Sequence, residues 1–238
     1  MLQNWVFESG KRKPFGSFSY ADRGDVWPVE DITGHGGWDS PMLAEGVLAG
    51  TLIATELGWL PAQDLRPGDR VVTFDNGMVP IRDAGLSHLM TGGNRVPKAY
   101  WPLLVPEKAL GNRKEMLLLP EQGVLVESDE GEDLFGDPFL MVAASALDGY
   151  KGIERVPPTP EVKIVTLRFD SEEVVYANGM VLMHCPGPVV EQCVAPDELV
   201  ARGNEAPYQR LPRAQSAMLV QAMRAASTVP VMSASSMN

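Results

Sequence analysis

Short apolar, β-branched runs broken by Gly, Pro, Asn and Asp dominate the chain from residue 46 to residue 190. Residues 50–55 (GTLIAT) form one run, and residues 68–81 (GDRVVTFDNGMVPI) read as two strands about Asp75-Asn76-Gly77. An Asn-Gly pair supplies positive φ at a hairpin turn. Between these runs, GWLPAQDLRPGD turns at Pro61 and again at Pro67-Gly68, where Asp69 can hold the turn through local backbone hydrogen bonds. Further strands are predicted near 100–105, 116–119, 124–127, 138–142, 162–169, 174–177 and 180–183. Residues 143–147 read either as one helical turn or as the end of a strand. This spacing of short strands predicts a mostly β domain.

The flanks read differently. Residues 1–45 carry Trp5, Phe7, Phe15, Phe18, Tyr20, Trp27 and Trp38 with little periodicity. Disordered segments are poor in aromatics, so this arm is expected to pack on its own domain or on a partner. Its Lys11-Arg12-Lys13 cluster reads as a solvated loop. In residues 191–238, Pro212 opens a helix predicted over about 212–226, followed by a small, polar, flexible tail. Ala214, Met218, Ala222 and Ala226 recur at i, i+4, with Leu219 and Met223 alongside. They mark the face expected to dock on the β-domain or on a partner.

Composition narrows the function. With 45% hydrophobic and 21% charged residues, the chain is globular rather than wholly disordered, and 23 Gly with 20 Pro favour turns over long helices. A formal net charge of -11 argues against general nucleic-acid or anionic-membrane binding. No stretch is long and apolar enough to span a bilayer, so no membrane insertion is expected. The first twenty residues hold no apolar core of signal-peptide type. A cytoplasmic location is the expectation, with leaderless export left open. Two Cys rule out a disulfide framework and a four-Cys zinc site.

Little conventional chemistry is visible. His35, His88 and His184 stand at no metal-ligand spacing, and no Walker loop, G-x-S-x-G elbow or strand-linked G-x-G-x-x-G occurs, so no cofactor or metal is expected. Residues 121–150 hold Glu121, Glu127, Asp129, Glu130, Glu132, Asp133, Asp137 and Asp148 without Lys or Arg. The stretch lacks the spacing of an EF-hand and reads as a solvated loop. His184-Cys185 is the one adjacent pair with nucleophilic interest, and Cys193 follows eight residues on. Neighbours on a strand point to opposite faces, so the two cannot pair with each other. They read as ordinary buried or edge residues, or as part of a site completed from elsewhere.

Residues 46–85 (GVLAGTLIATELGWLPAQDLRPGDRVVTFDNGMVPIRDAG) resemble the start of Hint domains, the Hedgehog/intein self-processing folds, in their compact bacterial form. Gly50-Thr51, Gly58-Trp59, Leu65, Pro67-Gly68-Asp69 and Val71 carry the likeness. Residues 117–128, 134–153 and 165–185 are similar to later blocks of the family. The resemblance implies a mostly β, Hint-like horseshoe fold over 46–190, flanked by the N-terminal arm and one C-terminal helix.

The same resemblance implies a site. Self-processing starts from a Cys or Ser that attacks the preceding carbonyl, and that position falls on Gly46. The histidine that protonates the departing amide nitrogen falls on Gln122, which cannot act as a general acid near neutral pH. The late-block histidine falls on Glu172. The stretch from Ala177-Asn178-Gly179 to His184-Cys185 is similar to an intein ending without its terminal Asn, so no chain-cleaving succinimide can form there. Cys185 is then either a relic of a nucleophile or a small strand filler. These departures imply a Hint-like protein without catalytic residues, kept as a binding or structural module for a protein partner or for self-association. The alternatives are an active self-processing Hint protein, by autoproteolysis or splicing, and a β-rich component of a larger assembly.

Overall fold

A computed structural model describes residues 29–31, 46–90, 97–159, 161–187, 208 and 210–228, the side chains of 29–31, 88–90 and 228 excepted. The broken apolar pattern folds into fifteen short strands among these residues. They are β1 (Val29–Asp31), β2 (Val47–Leu48), β3 (Leu52–Thr55), β4 (Gly58–Pro61), β5 (Arg70–Thr73), β6 (Gly77–Pro80) and β7 (Asp83–Met90). β8 (Leu103–Val105), β9 (Met116–Leu118), β10 (Gly123–Glu127), β11 (Phe139–Ala143) and β12 (Glu154–Arg155) follow. β13 (Glu161–Arg168), β14 (Glu173–Ala177) and β15 (Val181–Cys185) complete the set, with helices α1 (Asp129–Phe135) and α2 (Arg213–Thr228).

The strands make three sheets. An eight-stranded sheet runs β11-β10-β15-β14-β3-β5-β6, with β4 paired to β3. A four-stranded sheet runs β1-β7-β13-β2, and a three-stranded one runs β12-β8-β9. One core joins them, with Phe169, Ile53, Leu65, Leu103, Leu118, Leu167 and Met183 fully buried. β1 lies in the leading arm and pairs in parallel with Leu86–His88 of β7. The arm's aromatic residues, like His35, Cys193 and the last ten residues, lie outside the described residues.

The turns follow their residue chemistry. Gly68 takes φ +92°, and Asp69 Oδ2 accepts the backbone N–H of Arg66 at 2.8 Å, closing the Pro-Gly-Asp turn as expected. The β5–β6 hairpin closes over Phe74-Asp75-Asn76, and of the Asn-Gly pair only Gly77 carries positive φ, +67°. Gly77 opens β6 directly after this three-residue loop, and lacking a Cβ it takes the left-handed angle without strain. Asn178 sits at φ +43°, and its Oδ1 accepts the N–H of Leu52 while its own N–H donates to Leu52 O, both at 2.8 Å. This side chain stands in for a strand neighbour at the start of β3. Asn178→Ala is expected to lower unfolding free energy by about 1–3 kcal/mol in a urea titration. Asn178→Gly, which tolerates the backbone angle, would lose only the hydrogen bond.

Several expectations need correction. The acidic stretch is not wholly a loop: α1 is a second helix, capped by Ser128, whose hydroxyl accepts the N–H of Gly131 at 2.9 Å. Asp129, Glu130 and Glu132 occupy its first turn, where the helix dipole favours negative charge, and Gly136 ends it at φ +80°. Two turns with an internal glycine give too weak a period to read. β4 ends at Pro61, in a stretch read only for its turns, and β7 was not foreseen because Gly, Ser and His dilute its apolar content. Trp59 is half-buried, as its size favours, with the Arg113 guanidinium 5.9 Å from its ring centroid. The C-terminal helix forms where expected and docks on α1, β11 and the 3-10 turn Ala144–Leu147. Leu219 and Met223 are buried as expected, but the docking face is rotated away from the Ala214-Met218-Ala226 side. Ser216, Leu219, Val220 and Met223 are buried, whereas Met218 is 54% exposed and Ala214 and Ala226 face solvent.

Candidate functional site

Gln122 ends the turn between β9 and β10. Its backbone is held on both sides: its N–H donates to Leu119 O at 3.1 Å, and its carbonyl accepts the N–H of Ala144 at 2.9 Å. The side chain is thereby aimed inward, and the residue has no solvent exposure. Oε1 accepts the backbone N–H of Gly46 at 3.1 Å. Nε2 donates to His184 O at 2.8 Å and to Gly123 O at 3.1 Å. One amide thus ties the start of β2, the start of β10 and the end of β15. Positions 46, 122 and 184, up to 138 residues apart in sequence, meet at one centre.

Gly46 stands immediately before β2 with φ +149°. A Cβ there would lie 2.5 Å from Ile164 Cγ2 on β13 and 4.0 Å from Leu119 Cδ1. Any side chain at this position, nucleophilic or not, requires Ile164 or the local backbone to move. Gly123 is equally enclosed: an added Cβ would meet His184 Cβ and Met141 Sδ at 2.8 Å and the Arg210 guanidinium at 3.3 Å. The absence of side chains at 46 and 123 is what lets the strands close around Gln122.

Strand alternation divides His184 from Cys185. Cys185 is buried in the main core opposite Glu173. His184 faces the other way, beside the smaller apolar cluster that includes Leu182 and Tyr208. Its Nε2 lies 3.7 Å from Glu172 Oε2, so a protonated imidazole would form an ion pair there. The Tyr208 ring meets the imidazole edge-on, with centroids 6.4 Å apart. The geometry therefore joins Gly46, Gln122 and the main-chain carbonyl of His184, sets Glu172 against the His184 imidazole, and turns the Cys185 side chain to the opposite face of the sheet.

Acidic residues gather about Tyr208. Tyr208 donates its hydroxyl to Asp75. Burial first, then the hydrogen bond to Asp75 and the charges of Asp75, Glu173 and Glu172, push the Tyr208 hydroxyl well above the usual tyrosine range. Glu173 is only 2% exposed, and its carboxylate accepts Asn76 Nδ2 at 3.0 and 3.2 Å and Ser171 Oγ at 3.0 Å. Arg210 lies 3.7 Å from Glu121, next to Gln122. Among the described residues, no three His, Cys, Asp or Glu side chains are grouped as a metal would need. Tyr208, Arg210 and Glu173 went unnoticed in the sequence, and Asn76 was read only as a turn residue. The Asn-Gly pair and the exposed-looking Glu gave no sign of a shared contact, and Tyr208-Gln209-Arg210 follows no apolar period.

The model of the Hint domain family matches residues 46–182. No curated protein matches the chain. Among solved structures, a bacterial intein-like domain from Clostridium thermocellum is 14% identical, covering 59% of this chain and 98% of that one, with a TM-score of 0.42. The gp41-1 intein is 16% identical, with 58% and 98% covered and a TM-score of 0.37. The MchDnaB-1 intein is 14% identical over the same shares, with a TM-score of 0.36. The family match takes in more than half of the chain and each strand from β2 to β14, and it begins at Gly46, the residue whose N–H Gln122 holds. This mostly β chain belongs to the Hint domain family.

Proposed function

We propose that this Hint domain has exchanged self-processing for a fixed role as a binding or structural module. The observation that carries this reading is the centre itself. Gly46 offers no nucleophile, and the space for a side chain there is taken by Ile164 Cγ2 at 2.5 Å. Gln122, in the slot of the proton-donating histidine, spends its amide on three hydrogen bonds. An amide has no proton to exchange near neutral pH, so it braces the peptide rather than cleaving it. Glu172, in the slot of the late-block histidine, is the third departure, and its carboxylate lies 3.7 Å from His184 Nε2. A protein partner or a second copy of the chain would be the natural ligand of such a module.

Intact mass after expression tests the reading, with and without dithiothreitol, which intercepts thioesters. One full-length species is expected in both conditions. A fragment beginning at Gly46 would overturn it. A Gly46→Cys chain is expected to stay whole as well, because Ile164 prevents the new side chain from settling against the preceding carbonyl.

Self-processing at the bond before Gly46 is the second reading. One observation favours it: the N–H of that bond is gripped by the Gln122 side chain. The same mass spectra decide, since a cut or ligated product appears only under this reading.

A further inference from the structure

The chain contains two Asn-Gly steps, Asn76-Gly77 and Asn178-Gly179, each followed by methionine. In such a step the glycine nitrogen can attack the asparagine side-chain carbonyl carbon, because no Cβ stands in the way. The N–Cγ bond forms, the Cγ–Nδ2 bond breaks, and ammonia leaves carrying the proton from the glycine nitrogen. Water then opens the five-membered imide to aspartate or isoaspartate. The two steps share this sequence chemistry but not their surroundings.

Asn178 is clamped. Its Oδ1 and its backbone N–H are both engaged by Leu52 at 2.8 Å, and Gly179 is buried, with Gly111 O 2.9 Å from where a Cβ would stand. Its carboxamide cannot turn toward the Gly179 nitrogen without breaking the β3 contact. Asn76 stands on the exposed tip of the β5–β6 hairpin, and Gly77 has no heavy atom within 4 Å of its would-be Cβ. The structure holds the Asn76 carboxamide through Nδ2 on Glu173, and Nδ2 is the group that leaves.

The geometry points to Asn76 as a self-modifying site whose conversion to aspartate or isoaspartate acts on the buried Glu173. Before conversion, Glu173 receives neutral donors from Asn76 and Ser171. Afterwards the Asn76 donor is gone, and a second carboxylate faces the first at hydrogen-bond range. Two carboxylates that close cannot both stay ionised without cost. Asp75, the Tyr208 acceptor, adjoins the same position. Conversion therefore pushes the hairpin tip away from β14 and weakens the hold on Tyr208. It is a one-way, water-driven change that needs no enzyme.

Incubation of the full-length protein at mildly alkaline pH, followed by peptide mapping, tests the site. A one-dalton gain is expected on the Asn76 peptide at least about tenfold faster than on the Asn178 peptide, as their different local protection requires. In concentrated urea the two rates should converge. The effect on Glu173 is read separately from melting curves of Asn76→Asp and Asn76→Ala. Both lose the donor, but only the aspartate adds charge, so Asn76→Asp should melt lower at neutral pH and the gap should close as acid protonates the pair. Equal rates at both asparagines in the folded protein would overturn the modification site. Equal melting of the two variants at neutral pH would overturn its action on Glu173.

Discussion

Replacing Gln122 by alanine is expected to cost the fold about 3–5 kcal/mol, a large share of the roughly 5–15 kcal/mol that holds a domain together. The side chain is wholly buried, so its removal leaves a void. It also strands the N–H of Gly46 and the carbonyls of Gly123 and His184, groups it joins at 2.8–3.1 Å. Each buried polar group left without a partner costs about 1–3 kcal/mol, less where water can enter. Gln122→His should lose less, since a neutral imidazole offers one donor and one acceptor against the three bonds made now. Urea titrations of both variants give the comparison. A loss below about 1 kcal/mol for the alanine variant would mean that the three elements do not depend on this brace.

Leu219→Ala on the C-terminal helix is expected to cost about 2–5 kcal/mol, whereas Met218→Ala one position away should stay within about 0.5 kcal/mol. Leu219 is fully buried and Met218 is 54% exposed. The pair separates Leu219, which the docking face Ser216-Leu219-Val220-Met223 buries, from Met218, which the apolar spacing also pointed to and which faces solvent. Ser216 belongs to the buried face because its hydroxyl donates to Leu211 O at 3.1 Å, at the start of the helix. A polar residue on the inward face is what misdirects a reading based on apolar spacing alone.

That helix illustrates how far the sequence could be read. Its existence and bounds were legible from Pro212 and the run of helix formers, because these are local properties. Its orientation was not, because it depends on what β11 and Ala144–Leu147 present to it. The same division holds for the strands. Runs with β-branched residues between strong breaks were placed within a few residues, while β7 and the helix at Asp129–Phe135 lacked a clear period. At the site, the family blocks led to Gly46, Gln122, Glu172 and His184. Nothing in the sequence revealed that Gln122 bonds to the other two strands through one amide, or that Ile164 crowds Gly46 from β13. Nor could it show that Glu173, an ordinary acidic residue by spacing, is sealed under the Asn76 hairpin.

The segment leading into the C-terminal helix has a consequence for how these molecules behave beside one another. β11 lies at one end of the eight-stranded sheet, and such an end is a template on which another chain can add a strand. Here Arg210 forms an isolated parallel bridge with Met141, and the N–H of Leu211 donates to Met141 O at 2.8 Å, so the chain covers the middle of this edge itself. At the opposite end, β6 finishes in Pro80, which has no N–H to offer. Growth of a sheet from molecule to molecule needs an acceptor end and a donor end that repeat. With Met141 bridged in cis and β6 ending in proline, these two ends of the sheet present fewer backbone groups on which a neighbouring molecule could add a strand.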